Sequence, residues 1–380
     1  METSRRNFLL AGLALPAALD TVDFGPMSPQ NKEPVKLTYR SLGKTGLKPT
    51  SVGFGCMITS DQSVVEKAAD LGINYFDTAR GYQNGNNERM VGAALKSKRK
   101  DLIISTKTMS RTKEEALQHI DMSLKELGTD YVDIWHLHAR DTPASVPDEA
   151  VEAMEICKKS GKARFIGFSC HDPNRMADFV IKTGKFDVIQ TTYSFPIGGI
   201  YRDQAIKKLH DAGVGIIAMK VVVALTGLNL KKLDNPPATK GDGPLAGIKW
   251  VLQNPAIGTT VPHMKTIPEL EMNFRAMSEP YMPADEKLLY VMNEQIRPDY
   301  CRMCYECKGQ CPKGVPVTEV LRFLAYNDFC GNYHQAVLSF RDLAREVRDV
   351  RCSDCSSCAI QCPNGVHVQD RLIRAQRLLA

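Results

Sequence analysis

The sequence predicts a (β/α)8 barrel followed by a small α-helical domain rich in cysteine. Three observations carry this reading. From Ser51 to about Met277 a strand-like run and a helix-like run alternate eight times. No G-x-G-x-x-G follows the first strand and no P-loop is present, which disfavours the alternative, an open doubly wound sheet. Beyond Tyr300, two cysteine runs of identical spacing flank a helical pattern.

The strands are expected at Ser51–Cys56, Asn74–Ala79, Leu102–Thr108, Tyr131–Ala139, Ala163–His171, Val188–Tyr193, Gly215–Val221 and Gly258–Met264. A helical pattern follows each. The best marked runs from Thr112 to Leu127: Thr112 and Glu115 make a capping box, Leu117, Ile120, Leu124 and Leu127 share a face, and Gly128 stops it. Between the cysteine runs, Val317 to Ala325 and Tyr333 to Val347 carry apolar residues at helical spacing, among them Val337, Phe340 and Leu343.

The chain has 380 residues, 43% apolar and 24% charged, enough for one large domain and a smaller one. Its net charge of +6 is spread out and forms no basic patch for nucleic acid. No apolar stretch reaches the roughly 18 residues that span a bilayer, so a membrane-spanning protein is not expected. Ser4-Arg5-Arg6-Asn7-Phe8-Leu9-Leu10 sets paired arginines before a short apolar run, the layout of a twin-arginine export signal, with Leu10 where Lys is usual. An uncleaved tail is the alternative. The expected parts are a signal and linker over 1–34, the barrel over 35–283 and the helical domain over 284–380. Export would place the protein in the periplasm or at the cell exterior, and its absence in the cytoplasm.

Eight of the twelve cysteines fall in register: Cys301-x2-Cys304-x2-Cys307-x3-Cys311-Pro312 and Cys352-x2-Cys355-x2-Cys358-x3-Cys362-Pro363. Each run is the bacterial ferredoxin pattern, and two [4Fe-4S] clusters are expected. A cubane has four irons, each needing one more soft ligand; three closely spaced thiolates serve three corners and a distant one the fourth. In two-cluster ferredoxins that fourth cysteine ligates the other cluster, so the expected sets are Cys301, Cys304, Cys307 with Cys362, and Cys352, Cys355, Cys358 with Cys311. Zinc and a disulfide framework are the alternatives; neither calls for a duplicated triple spacing that ends in Cys-Pro. The tail resembles the α-helical ferredoxins that serve larger oxidoreductases. Cys56, Cys157, Cys170 and Cys330 are expected to be core thiols.

Catalytic groups of such a barrel sit at the C-terminal ends of its strands. Asp77, Tyr82, Lys107 and His138 lie there on consecutive strands. Asn74-Tyr75-Phe76-Asp77-Thr78-Ala79-Arg80-Gly81-Tyr82, with Asn87-Glu88 and Gly92, resembles the second-strand signature of the aldo-keto reductases. Leu127-Gly128-Thr129-Asp130-Tyr131-Val132-Asp133 leading to Leu137-His138 resembles their fourth-strand signature, and Leu37 to Leu47 resembles the hairpin that plugs their barrel floor.

The resemblance implies hydride transfer between NADP, or NAD, and a small carbonyl or alcohol, sugar-like compounds included. Tyr82 would donate the proton, Lys107 lower the phenol's pKa, Asp77 hold the lysine and His138 orient the carbonyl; His136, one pleat below, would line the interior. Ser169, Gln190, Lys265 and Asn273 fall at cofactor positions, with Lys265 and His263 placed to neutralise a 2′-phosphate, which favours NADP. Cys170 stands where the family has Asn, Met219 where it has a stacking aromatic and Glu269 where it has Arg. Trp135, Phe195, Tyr201 and the 222–243 loop are candidates for the substrate pocket or the core. Clusters pass single electrons whereas nicotinamide passes hydride, and no flavin signature joins them. The clusters then either serve an external redox partner or brace the tail. A redox-neutral epimerase with captive nicotinamide and an electron-transfer subunit with a retired barrel are the alternative functions.

Overall fold

The computed structural model describes residues 35–198, 202–225 and 242–380; the expected signal and linker, Tyr201 and most of the 222–243 loop lie outside the described residues. Eight strands form inside the expected ranges, trimmed at their ends: β1 (Phe54–Gly55), β2 (Tyr75–Asp77), β3 (Ile103–Thr108), β4 (Val132–Leu137), β5 (Ala163–Cys170), β6 (Val188–Thr192), β7 (Gly215–Met219) and β8 (Thr259–Val261). They are parallel and run in sequence order around the sheet. Parallel bridges from Val52 to Thr260 and from Gly55 to His263 close the barrel. That seam needs glycine, because a Cβ on Gly55 would stand 2.6 Å from the Val261 carbonyl oxygen.

Period-two alternation decides what faces inward. The lower interior is apolar: Tyr75, Ile103, Ile134, Val188, Ile217 and Val261 pack together, and Leu42 and Leu47 of the N-terminal hairpin plug them from below. Arg40 ties that hairpin to the carbonyls of Leu252, Asn254 and Ile257. Higher up, the inward positions turn polar, and this change of character places the site.

Helices α1 (Gln62–Asp70), α2 (Asn86–Leu95), α3 (Lys113–Leu127), α4 (Asp148–Lys159), α5 (Ala177–Thr183), α6 (Asp203–Asp211), α7 (Asp242–Leu252) and α8 (Ile267–Phe274) alternate with the strands. Of the α3 signals, the Thr112 side chain accepts from the Glu115 N–H, which is one half of the expected capping box, and Gly128 ends the helix at φ 64°. Trp135 is fully buried in the core that includes residues of the strands and of these helices, so it packs there rather than in the pocket. Phe195 packs edge-on against Trp250, in a satellite core of α7 and the next helix.

That next helix, α9 (Pro283–Ile296), is shared. Leu288, Leu289 and Met292 pack with Ala246 of α7, whereas Ile296 enters a separate core of the C-terminal residues. The latter core is built from α10 (Val317–Asp328), α11 (Tyr333–Arg341), α12 (Arg345–Arg348) and α13 (Val368–Leu379). The single helix expected over Tyr333–Val347 is two, interrupted between Arg341 and Arg345. Residues 35–380 form one compact unit.

Candidate active site

The Lys107 ammonium lies 2.6 and 2.7 Å from the two carboxylate oxygens of Asp77 and 2.7 Å from the Thr78 carbonyl. Both partners are buried. Asp77 also accepts from the Ser105 hydroxyl and, at 2.9 Å, from Gln190 Nε2. A charge pair away from water persists when its remaining hydrogen-bonding capacity is met, and here each lysine donor has an acceptor. Burial lowers the Lys107 pKa, with Asp77 working in the opposite direction.

Tyr82 stands over this pair. Its ring centroid is 5.2 Å from Lys107 Nζ and 5.6 Å from the His138 ring, which meets it edge-on at 78°. The loop that aims it is strained, since Gln83 and Asn84 both take positive φ, and Gln83 Nε2 holds the Thr59 carbonyl at 2.9 Å. The expectation that Lys107 lowers the phenol's pKa is not met. Burial first, then the Asp77 charge, pushes Tyr82 well above the ordinary value, so the net shift runs opposite to the expected one. His138 is held well below its ordinary pKa by burial and Lys107, so its ring is neutral, and its Nδ1 is buried with no partner. His136 is buried in the interior, pushed down to about 3 by burial and Lys107.

The cofactor positions split into two groups. Ser169 and Gln190 are register partners on β5 and β6. Ser169 Oγ accepts the Ala139 N–H at 2.8 Å, and Gln190 keeps a buried Oε1 with no partner. Asn273, on α8, likewise keeps a buried, unpartnered Oδ1. Such orphaned acceptors fit a group with amide or amino donors. Lys265 is exposed, and among the described residues it forms no ion pair. Its backbone N–H donates to Glu269, while Thr266 accepts the Glu269 N–H, so a carboxylate already serves the α8 N-terminus. The expected 2′-phosphate position is thus flanked by a negative charge.

In the tail, Lys308 and Gln361 exchange backbone hydrogen bonds at 2.9 Å and bind the two cysteine runs side by side. Burial raises the Cys301 thiol to about 12, and Cys307, Cys304 and Cys362 add to it; burial raises Cys352, and Cys311, Cys355 and Cys358 add to it. The Met303 N–H and Asn364 Nδ2 donate to the sulfurs of Cys301 and Cys304 at 3.4 and 3.3 Å. Among the described residues, no three His, Cys, Asp or Glu side chains converge as the ligands of one metal ion would. Cys56, Cys157, Cys170 and Cys330 are buried and unpaired by disulfide.

Several residues around the site make contacts that the sequence did not announce. Gln190 braces Asp77, and Asn87 and Glu88 of the second-strand signature are scaffold: Asn87 bonds Thr78 and Cys56, and Glu88 bonds Thr106 and Arg80. Tyr326, from α10, reaches His171 at the end of β5, a contact that no local pattern could announce.

A closed parallel barrel with a Lys–Asp pair, a tyrosine and a histidine gathered at its mouth defines a (β/α)8 protein with a candidate active site at the strand ends. Residues 58–244 match the Aldo/keto reductase family model, so this barrel is similar to that family. The chain is 32% identical over 207 residues to L-galactose dehydrogenase of Arabidopsis thaliana, covering 48% of this chain and 65% of that protein. It is 29% identical over 211 residues to L-glyceraldehyde 3-phosphate reductase of Escherichia coli, covering 48% and 61%. An uncharacterised oxidoreductase of Bacillus subtilis is 30% identical over 196 residues, with 47% and 63% covered, so the chain spans just under two thirds of these relatives. The holo form of an aldo-keto reductase from Bacillus halodurans superposes with a TM-score of 0.57 at 25% identity, over 68% of this chain and 96% of that one.

Proposed function

We propose that the protein is an NAD(P)-dependent oxidoreductase acting on a small carbonyl or alcohol compound, and that its tail binds two [4Fe-4S] clusters. The observation that carries the enzymatic reading is the buried Asp77–Lys107 pair set beneath Tyr82 and His138. A bound nicotinamide supplies or accepts the hydride. The high pKa of Tyr82 keeps its proton in place until alkoxide character develops on the substrate oxygen. Lys107, over the ring, then stabilises the phenolate left behind, and Asp77 fixes the ammonium. Neutral His138 hydrogen-bonds and orients the carbonyl. Gln190 and Asn273, with their free acceptors, and Ser169 are assigned to the nicotinamide and adenine ends. With Glu269 at the α8 N-terminus, the choice between NADP and NAD rests on whether Lys265 outweighs it.

The cluster reading is supported by the thiols that act on Cys301 (Cys304, Cys307 and Cys362) and on Cys352 (Cys311, Cys355 and Cys358), which make up the crosswise sets, and by the N–H donors aimed at Cys301 and Cys304. Zinc would require four ligand atoms about 2.3 Å from one centre, whereas each cubane thiolate bonds its own iron. Bound cubanes supply one-electron redox capacity for a partner outside this chain. The paired Arg5-Arg6 supports export to the periplasm, which cell fractionation tests directly. Among the described residues, no helix is long and apolar enough to cross a membrane. For the proposal as a whole, the test is anaerobic purification with iron, sulfide and bound nucleotide assayed together, followed by reduction of DL-glyceraldehyde with NADPH and NADH. Iron and sulfide at about four per quartet with turnover are expected; a protein with zinc, or with no turnover, sinks the corresponding half.

A further inference from the structure

The barrel mouth holds a second set of polar groups that the Tyr82 centre does not use, and one of them comes from the tail. Tyr326 of α10 is buried, and its hydroxyl lies 3.4 Å from His171 Nε2. It accepts a hydrogen bond from Arg322 Nη1 at 3.1 Å. Lys220, just past β7 at φ 59°, sets its Nζ 4.4 Å from the ring centroid. Behind the imidazole, Asp141 receives both His171 Nδ1, at 3.0 Å from each oxygen, and the His171 backbone N–H. The sequence of groups is carboxylate, imidazole, phenol, flanked by two cations. Of the strands that lead to these groups, β5 before His171 and β7 before Lys220 flank β6, whose Gln190 already touches Asp77.

We propose that Tyr326 is a second proton-transfer residue of this active site, supplied by the tail, with His171 and Asp141 as its positioning residues. The proposal rests on the oxidoreductase reading for its substrate. As phenolate, Tyr326 takes the proton of a bound hydroxyl: that O–H bond breaks, its electron pair stays on the substrate oxygen, and a Tyr326 O–H bond forms. In reverse the proton returns to an alkoxide, and the phenolate is held by Lys220 and Arg322. No oxidant or reductant enters either direction.

The electrostatics agree with the geometry. Burial alone would weaken this acid, but Lys220 and then Arg322 outweigh it and hold Tyr326 below its ordinary value, with Asp141 opposing them. Glu319 faces Arg322, and Tyr326 in turn acts on Tyr82. Burial keeps His171 at about 4, hence neutral, with Nδ1–H on Asp141 and Nε2 left to accept. The site then holds two phenols of opposite character, a reluctant acid in Tyr82 and a ready one in Tyr326, as suits a substrate with two oxygen functions. A hydroxyl next to the reacting carbonyl meets that description.

The full-length, anaerobically prepared protein is compared with its Tyr326→Phe, Lys220→Met, Asp141→Asn and Tyr82→Phe variants. In an ultraviolet difference titration of tyrosinate, one phenol should ionise below the rest in the wild type and in Tyr82→Phe. It should vanish in Tyr326→Phe, move to higher pH in Lys220→Met and to lower pH in Asp141→Asn. Superimposable titrations of wild type and Tyr326→Phe overturn the proposal and leave the oxidoreductase reading standing. With DL-glyceraldehyde and NADPH or NADH, Tyr326→Phe should lower kcat about 10²-fold and remove one limb of the pH profile, with nucleotide affinity kept. An unchanged profile overturns the proposal. A wild type that turns over neither probe counts against the oxidoreductase reading alone, and the titration then decides Tyr326.

Discussion

Asp77 and Lys107 form one buried ion pair in which both carboxylate oxygens meet the ammonium, at 2.6 and 2.7 Å, and the lysine's third donor goes to Thr78. The pair lies beneath the tyrosine that it is proposed to serve, and it cannot be halved cheaply. Lys107→Met should cost about 3–5 kcal/mol of stability, because Asp77 is left charged and buried. Denaturant unfolding measures that loss, and turnover should disappear with it.

Glu269 competes with a 2′-phosphate for the N-terminus of α8. Glu269→Gln retains the cap geometry and removes the charge. The ratio of kcat/KM for NADPH over NADH should rise about fivefold, the scale of one charge at a helix end (about 1 kcal/mol). An unchanged ratio would place the nucleotide's ribose elsewhere.

Acid should destabilise the fold before its carboxylates titrate. His136 and His171 are buried and depressed to about 3 and about 4, against roughly 6.5 unfolded. The unfolded chain then binds more protons, so stability rises with pH through that window. Falling from about pH 6.5 toward pH 4, each contributes a loss of up to ~1.4 kcal/mol per pH unit. Above that window these two groups add no slope. Thermal melts from pH 7.5 down to about pH 4.5 read this, and a flat profile would mean that the rings titrate in the folded state as they do in the unfolded chain.

If the cysteine runs exchange their last ligands, Cys362→Ser should damage the cluster of Cys301, Cys304 and Cys307 and leave the other intact. Cys311→Ser should do the reverse. Electron paramagnetic resonance of the reduced protein separates the two sites. Loss of the same-run cluster in each variant would contradict the crosswise sets.

All eight strands, the Thr112 cap and the Gly128 stop were legible in the sequence, because each depends on local periodicity or a single turn conformation. The site was legible where a strand end specifies it, as for Asp77, Lys107 and His138. Its electrostatics were not. The shift on Tyr82 comes from burial first and then from the Asp77 charge, and both depend on how the folded barrel packs around the ring. Trp135 read equally as pocket or core, and strand phase alone turns it outward into the core. The interruption between Arg341 and Arg345 leaves no mark in the sequence pattern, because Leu343 keeps the helical spacing across it. Tyr326 could not be foreseen at all, since it meets His171 from 155 residues away.

The central claim is that Tyr82, placed over Lys107, is the proton donor of a working barrel. Kinetics of Tyr82→Phe test it most directly, with nicotinamide binding measured on the same preparation. The account predicts a fall in kcat of at least about 10²-fold with nucleotide affinity unchanged. A variant that turns over like the wild type would contradict it.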